Sequence, residues 1–383
     1  MDFDLSEEQS ILWDSVERLL ADRYGFEERR KHMAQPEGWS ADMWSAYAGM
    51  GLMALPFAEE DGGLGGSPVE TMIVMEAMGR ALVLEPYFPT VVLGGSFLRF
   101  GGSAAQKAEL IPAIAEGGLK LAFAQVERNS RYDLHHVETT ARRDSGGYVI
   151  DGRKSVVLHG DSADRLFVTA RTGGGIRDEG GIGVFMVDAR AKGVSVRGYR
   201  TQDGARAAEI TFDKVVVGEE AVFGDAENGL PLARRIVDAG IAALCAEAVG
   251  AMEAMRAQTV DYLKVRKQFG VPIGSFQVLQ HAAVDMFVAT EQARSMTLYA
   301  TMMADSEDAG ERGRAMHAAK AEIGRGGRIC GENAIQLHGG VGMTMELAVG
   351  HSFKRVTMID TIFGDADHHL RALGRAGGLF QAA

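Results

Sequence analysis

Arg266-Lys267-Gln268-Phe269-Gly270 and, about 70 residues later, Gln336-Leu337-His338-Gly339-Gly340-Val341-Gly342 are the stretches from which this chain is best read. Arg266 closes a long helical pattern, and Phe269-Gly270 turns the chain away. An arginine presents a planar fork that suits the oxygens of an anion, and an aromatic beside it presents a flat apolar face. Gly339 and Gly340 carry no Cβ, so their backbone amides can approach an anion closely. Gln277 and Gln336 can donate and accept in fixed directions. The same residues also suit an arginine at a helix C-terminus followed by a glycine turn, so the motifs alone leave both readings open.

Outward from these motifs the hydrophobic period is helical. It predicts helices over 230–265, 276 to about 305, 310 to about 337 and about 367 to the end, a four-helix arrangement. The methionines of 292–303 read as bundle core. Upstream, the period changes. Residues 148–152, 155–158, 165–170 and 182–187 are short apolar runs, separated by turn-rich pieces such as Gly173-Gly174-Gly175 and Asp151-Gly152. That spacing predicts a compact antiparallel β domain, a barrel or sandwich. Before it, the chain reads helical again. Ser6-Glu7-Glu8-Gln9 has the form of a capping box, followed by Ile11, Leu12, Val16, Leu19 and Leu20 at helical spacing. Ser67 and Pro68 open a Met-rich helix over 69–82, whose methionines suit core filling. The expected division is 1–118, 119–225 and 226–383.

The composition, 46% hydrophobic and 24% charged over 383 residues, is that of a globular chain with ample core. A net charge of −12 argues against a nucleic-acid partner but leaves room for a local anion site built on one or two arginines. Cys245 and Cys330 lie far apart without CxxC spacing, which points to buried thiols and not to a disulfide framework or zinc site. The acidic start MDFDLSEEQ lacks the pattern of a signal peptide, and no apolar run reaches the roughly 20 residues that span a bilayer. A cytoplasmic location without membrane attachment is the expectation.

Helices, then a β domain, then a helical bundle, with the two motifs in this order, resembles the acyl-CoA dehydrogenase family over essentially the whole chain. The wider sequence looks most like the small subunit of pimeloyl-CoA dehydrogenases, a group in which two different subunits often assemble. The resemblance implies an α+β acyl-CoA dehydrogenase fold with an N-terminal α-helical domain, a middle antiparallel β-barrel domain and a C-terminal four-helix bundle. It also implies FAD, a dimer or dimer of dimers, electron-transferring flavoprotein as acceptor, and α,β-desaturation of an acyl-CoA thioester. Arg266, Phe269, Gln277, Gln336, Gly339 and Gly340 are then the residues that reach the adenine and pyrophosphate of FAD held by a neighbouring subunit.

Desaturation needs a carboxylate base over the substrate in a dry pocket. Counting from Arg355, the family's glutamate position is Gly364, within Phe363-Gly364-Asp365-Ala366. The alternative location on an earlier helix is Gly240, followed by Ile241 where an arginine belongs. Neither carries a base. Asp365 is a candidate one residue out of step and one methylene shorter, against the commoner role of helix N-cap. Asp238 is a weaker candidate. Glu247, in an apolar helix, suits either a buried functional carboxylate or a pairing with a neighbouring helix.

The flavin-ring side is also altered. The family's Thr-Glu-Pro-x-x-Gly-Ser-Asp loop reads Val126-Glu127-Arg128-Asn129-Ser130-Arg131-Tyr132-Asp133, and its Lys-x-Trp-Ile-Thr strand reads Lys154-Ser155-Val156-Val157-Leu158. Val126, Val156 and Leu158 offer no directed hydrogen bonds. Ala366 and His368 replace a polar pair beside the cofactor. The adenine half therefore survives while the ring and base half is degraded, which suits the small non-catalytic subunit of a heteromer; a homomeric enzyme with an unusual base or base-free flavin chemistry and a non-enzymatic assembly protein are the alternatives. His135-His136 and His368-His369 read as solvated or capping, His159-Gly160-Asp161-Ser162 as a turn, and 306–314 as a solvated helix connection.

Overall fold

In the computed structural model, which describes residues 5–379, the chain gathers into two compact units. One comprises Met1–Lys31, Pro68–Val83 and Ile241–Ala383; the other comprises His32–Ser67 and Leu84–Gly240. The units do not follow chain order, because segments from both ends of the sequence join the first.

Helix α1 (Glu7–Arg23) starts where the capping box places it: Ser6 accepts from the Gln9 amide and Gln9 reaches back to the Ser6 amide. Helices α2 (Phe26–Ala34), α3 (Ala41–Gly49) and α4 (Pro68–Ala81) follow, with Ser40 capping α3. Met72, Met75 and Met78 of α4 are buried, as the Met-rich pattern predicts. After a buried π-helical turn at Phe88–Gly94 come α5 (Gly95–Gly101) and α6 (Ala104–Ala115), the latter opened by a second capping box, Ser103 with Gln106.

The sheet unit contains β1 (Leu121–Ala124), β2 (Thr140–Asp144), β3 (Gly147–Leu158), β4 (Arg165–Arg171), β5 (Ile182–Asp188), β6 (Val194–Arg200), β7 (Arg206–Gly218) and β8 (Val222–Phe223). They pair in the order β6-β7-β3-β2-β4-β5-β8, with β1 on β4. Most pairings are antiparallel; β1 and β2 each meet β4 in parallel. Asp151-Gly152 does not separate two strands. It falls at a bulge where β3 shifts register against β7, and the strand continues to a second bulge between Lys154 and Val157. The core beneath is aromatic: Phe97 stacks on Phe167 at 4.3 Å and meets Phe123 edge-on, and Phe167 meets Phe223.

Helix α7 (Leu230–Val265) matches its predicted span. A two-residue hairpin, β9 (Lys267–Gln268) and β10 (Val271–Pro272), leads to α8 (Gln277–Met303), α9 (Ala309–His338), α10 (Ala348–Thr361) and α11 (Ala366–Arg375). The last helix does not run on toward the chain end as predicted: it stops at Arg375, and Gly377 and Gly378 take left-handed φ of +87° and +90°. Helix α10 carries no strong sequence signal, since Gly350, Thr357 and Thr361 are weak helix formers and its buried Val349, Val356 and Ile359 are sparse. Within the first unit α9 packs against α8, α10 and α11. Helices α4 and α7 touch at Gly79 and Gly250, where a Cβ would run into the carbonyls of Glu247 and Glu76. The nearby buried charge is matched: Arg294 pairs with Glu76 and Glu253, and Arg80 with Glu17, Glu76 and Glu253. Over 292–303 of α8 the buried face is Ala293, Thr297, Ala300 and Thr301, whereas Met302 is 43% exposed and Met296 and Met303 are half-buried, so the core there is built from small residues and not from the methionines predicted. Cys245 and Cys330 are buried and unbridged. No helix among the described residues is long and apolar enough to cross a membrane.

Candidate functional site

The two motifs meet at one end of the helical unit. Tyr262, one turn before the end of α7, stacks on His338, the last residue of α9, with ring centroids 4.5 Å apart and planes 24° from parallel. His338 Nδ1 lies 2.8 Å from the Ala334 carbonyl, which fixes the ring along its own helix. Arg266 follows Tyr262, and Phe269-Gly270 forms the hairpin tip with φ of +56° and +82°. Both tip residues are left-handed, as a tight hairpin requires. Phe269 is 91% exposed and meets Phe276 edge-on at 6.0 Å, beside Gln277 at the start of α8.

These groups are available to a ligand. Arg266, Gln277, Gln336, Gly339 and Gly340 are all exposed, and Arg266 makes no ion pair among the described residues. Gly339 adopts φ +63°, and a Cβ at Gly339 or Gly340 would meet nothing within 4 Å. A guanidinium without a partner, an exposed ring and an uncrowded glycine pair fit the adenine and pyrophosphate of a dinucleotide, although the Gly339 amide itself donates to the Gln336 and Ile335 carbonyls as the cap of α9.

The position to which the resemblance assigns the base, Gly364, is closed: a Cβ there would lie 2.7 Å from the His368 and His369 rings. After α10, Phe363 and Gly364 take φ of +61° and +123°. Lys320, on α9 and wholly buried, donates to the Asp360 carbonyl at 2.8 Å and the Gly364 carbonyl at 2.7 Å. Burial lowers its amine to about 8. Asp365 is the N-cap of α11: its Oδ1 accepts from the His368 amide at 2.7 Å. Asp360 Oδ1 accepts from the Ala366 amide at 3.0 Å, and burial raises its carboxyl. His369 is only 1% exposed, contrary to the solvated reading, because α11 lays it against α9, where its Nδ1 lies 2.8 Å from His317 Nδ1. Burial pushes His317 down to about 4 and His369 further. Sequence reasoning misses Lys320 and His317; their one signal is polar side chains on the apolar face of Ala315, Met316 and Ala319.

Glu247 takes the pairing role. Arg355 Nε and Nη2 donate to its two oxygens at 2.5 and 2.8 Å, a bidentate fork joining α10 to α7. Gly240 and Ile241 are buried and Asp238 half-buried on the same long helix.

In the sheet unit, the Ser155 amide donates to the Val126 carbonyl at 2.8 Å, which sets the two altered flavin-ring stretches side by side. Lys154, wholly buried, donates to Glu127 at 2.7 Å and Thr169 at 3.0 Å. Burial pushes the Glu127 carboxyl up, but the Lys154 charge and hydrogen bonds from Lys154 and Thr139 outweigh it and hold the carboxyl low. Val156 projects at the second bulge with φ +51° and is 42% exposed; Val126 and Leu158 are half-buried. A β-branched residue in this region is strained. Nothing polar replaces the ring's hydrogen-bond partners at these three positions, so this half does not fit the isoalloxazine as the other half fits the nucleotide tail. His136 is buried, not solvated, at 3.0 Å from Glu138, because Arg171 gathers the carbonyls of His135, Val137 and Ile176 and pins the loop inward. His159 to Ser162 forms the predicted turn, whereas most of the predicted solvated connection 306–314 belongs to α9, which Asp308 caps and in which Arg312 is buried, donating to the Ser306 carbonyl.

Probable acyl-CoA dehydrogenase YngJ of Bacillus subtilis (strain 168) is 29% identical over 94% of this chain and 95% of its own. The solved structure of a Tcur3481-Tcur3483 steroid ACAD variant superposes with a TM-score of 0.87 at 27% identity, covering 97% of each chain. The ChsE4-ChsE5 complex from Mycobacterium tuberculosis superposes with a TM-score of 0.87 at 23% identity over 98% of each chain, a likeness of fold. The N-terminal, middle and C-terminal domain models of acyl-CoA dehydrogenase match residues 6–118, 122–215 and 227–378 in order. With the whole length accounted for in this way, the chain belongs to the acyl-CoA dehydrogenase family.

Proposed function

We propose that this chain is the small, non-catalytic subunit of a heteromeric FAD-dependent acyl-CoA dehydrogenase, most like the small subunit of pimeloyl-CoA dehydrogenases. It lends its partner the adenine and pyrophosphate half of the cofactor site. The observation that carries this reading is the contrast between the two halves. Arg266, Phe269 and Gly339-Gly340 stand open at the bundle end, while position 364 is a glycine whose space is taken by histidine rings. A homomeric enzyme gains nothing from keeping one half and losing the other.

Bound FAD supplies the two-electron acceptor for α,β-desaturation of an acyl-CoA thioester. Toward it, Arg266 would hold the pyrophosphate through its fork, Phe269 would cover the adenine, and Gln277 and Gln336 would orient the tail. With no Cβ at Gly339 or Gly340, the phosphates would approach this turn closely; the Gly339 amide stays with the α9 carbonyls. Asp365 caps α11 in this reading and moves no proton; the partner supplies base, ring contacts and most of the acyl pocket. The pairing in the ChsE4-ChsE5 complex and the Tcur3481-Tcur3483 enzyme favours assembly from unlike chains. A dimer or dimer of dimers, electron-transferring flavoprotein as acceptor, a cytoplasmic setting and three domains at 1–118, 119–225 and 226–383 complete the proposal.

Purification of the chain alone and with a co-expressed acyl-CoA dehydrogenase tests it. The expected result is a colourless single chain and a yellow, active complex. A single chain with about one flavin per protomer and unaided turnover refutes it.

A further inference from the structure

We propose that His369, assisted by His368, is a built-in stopper at position 364, so that the chain is closed to a base there and does not merely lack one. This rests on the small-subunit reading and names the residues that keep the chain non-catalytic.

Position 364 has no room for a side chain. A Cβ at Gly364 would lie 2.7 Å from His368 Cδ2 and 2.7 Å from His369 Nε2, inside any normal contact. Such a clash is cheap only if the ring can move. His368 is half-buried and meets His369 edge-on, so it is the less confined of the two rings. His369 cannot: it is 1% exposed, and its Nδ1 faces His317 Nδ1 at 2.8 Å. Two neutral imidazoles in that arrangement share one proton, so one ring donates and the other accepts. His369 Nε2, meanwhile, is buried without a hydrogen-bond partner and abuts the space of residue 364.

The turn cannot yield either. Lys320 grips the carbonyls of Asp360 and Gly364, and Asp365 holds the His368 amide. Gly364 itself sits at φ +123°, where any side chain is strained. Lys320 from α9, the α11 cap and the histidine pair therefore fix one arrangement, with glycine as its only compatible residue.

Thermal melts of the full chain as Gly364→Ala, His369→Ala and the double variant separate steric closure from backbone strain. The strain and the His368 contact are common to both backgrounds; the His369 clash is not. The expected loss for Gly364→Ala is roughly 6–12 °C with His369 present and less than half that without it. Equal losses in both backgrounds overturn the stopper. If Gly364→Ala fails to fold, recovery on adding His369→Ala supports it, and failure of the double variant while His369→Ala folds overturns it. A chain without this coupling that still needs a partner for flavin keeps the small-subunit reading and loses the stopper. A chain that turns over unaided loses the reading whatever the melts give.

Discussion

His338 lies flat on Tyr262, and this contact places the C-terminal ends of α9 and α7 side by side. A stacked pair of this kind contributes about 0.5–1.5 kcal/mol beyond its buried area. It also does what no local signal does: it brings Gly339-Gly340 to the same end of the bundle as Arg266 and Phe269, although about 70 residues separate them.

Arg266 is exposed and unpaired among the described residues, so its removal costs little stability. Arg266→Ala in the assembled enzyme is expected to weaken FAD retention about 10- to 100-fold, the equivalent of a lost charge-assisted fork. Arg266→Lys recovers only part, because a point charge cannot bind bidentately. Flavin titration of the apo-complex gives the answer; unchanged affinity would remove Arg266 from the half-site.

The Arg355–Glu247 fork is structural on this account. Truncating either partner to Ala leaves a buried charge alone and is expected to cost about 3–5 kcal/mol in denaturant unfolding. Replacing both with apolar residues of similar volume costs much less. Should Glu247→Gln abolish turnover of the complex while leaving stability intact, Glu247 has a functional role instead.

Lys320 makes stability depend on alkaline pH. Its amine is lowered from 10.5 to about 8 by burial, so the unfolded chain binds more protons between those values. Stability therefore rises with pH across that window, by about 3 kcal/mol at about 1.4 kcal/mol per unit. Below about 8 the burial penalty is fully present. Lys320→Met is expected to be less stable throughout, since two carbonyls lose their donor, and to lack this slope. Urea unfolding at pH 7.5, 9 and 10 compares them; parallel slopes would contradict the assignment.

Val156 carries strain with little burial to offset it. Val156→Gly is expected to stabilise the chain by about 1 kcal/mol, a rise of roughly 2–4 °C in Tm. A lower Tm would mean that the Val156 side chain holds the bulge.

Much of this site is legible in local sequence. The α7 span, the capping box at Ser6 and the Asp365 cap all follow from local rules, because each depends on neighbours within a turn or two. The β domain is less legible. Strands β2 and β6 lack the apolar runs that mark β3, β4 and β5, since β2 carries Arg142, Arg143 and Asp144 and β6 is mostly exposed, and β7 alternates irregularly around its register shifts. His136 and His369 read as solvated because adjacent histidines look polar; the Arg171 carbonyl cluster and the α9–α11 contact bury them.

Residue identity by itself settled which groups are present: an arginine, an aromatic and paired glycines in motif order, a glycine where the resemblance puts the base, and hydrocarbons where it puts the flavin ring. Those are properties of a list, and a list carries them without folding. Tertiary structure alone decided what each group faces. Glu247 became a fork partner, Lys320 the clamp on a turn 44 residues away, and His369 the occupant of the space beside Gly364. Such contacts are set by how helices pack, and packing depends on residues too far apart in the chain for any local pattern to connect.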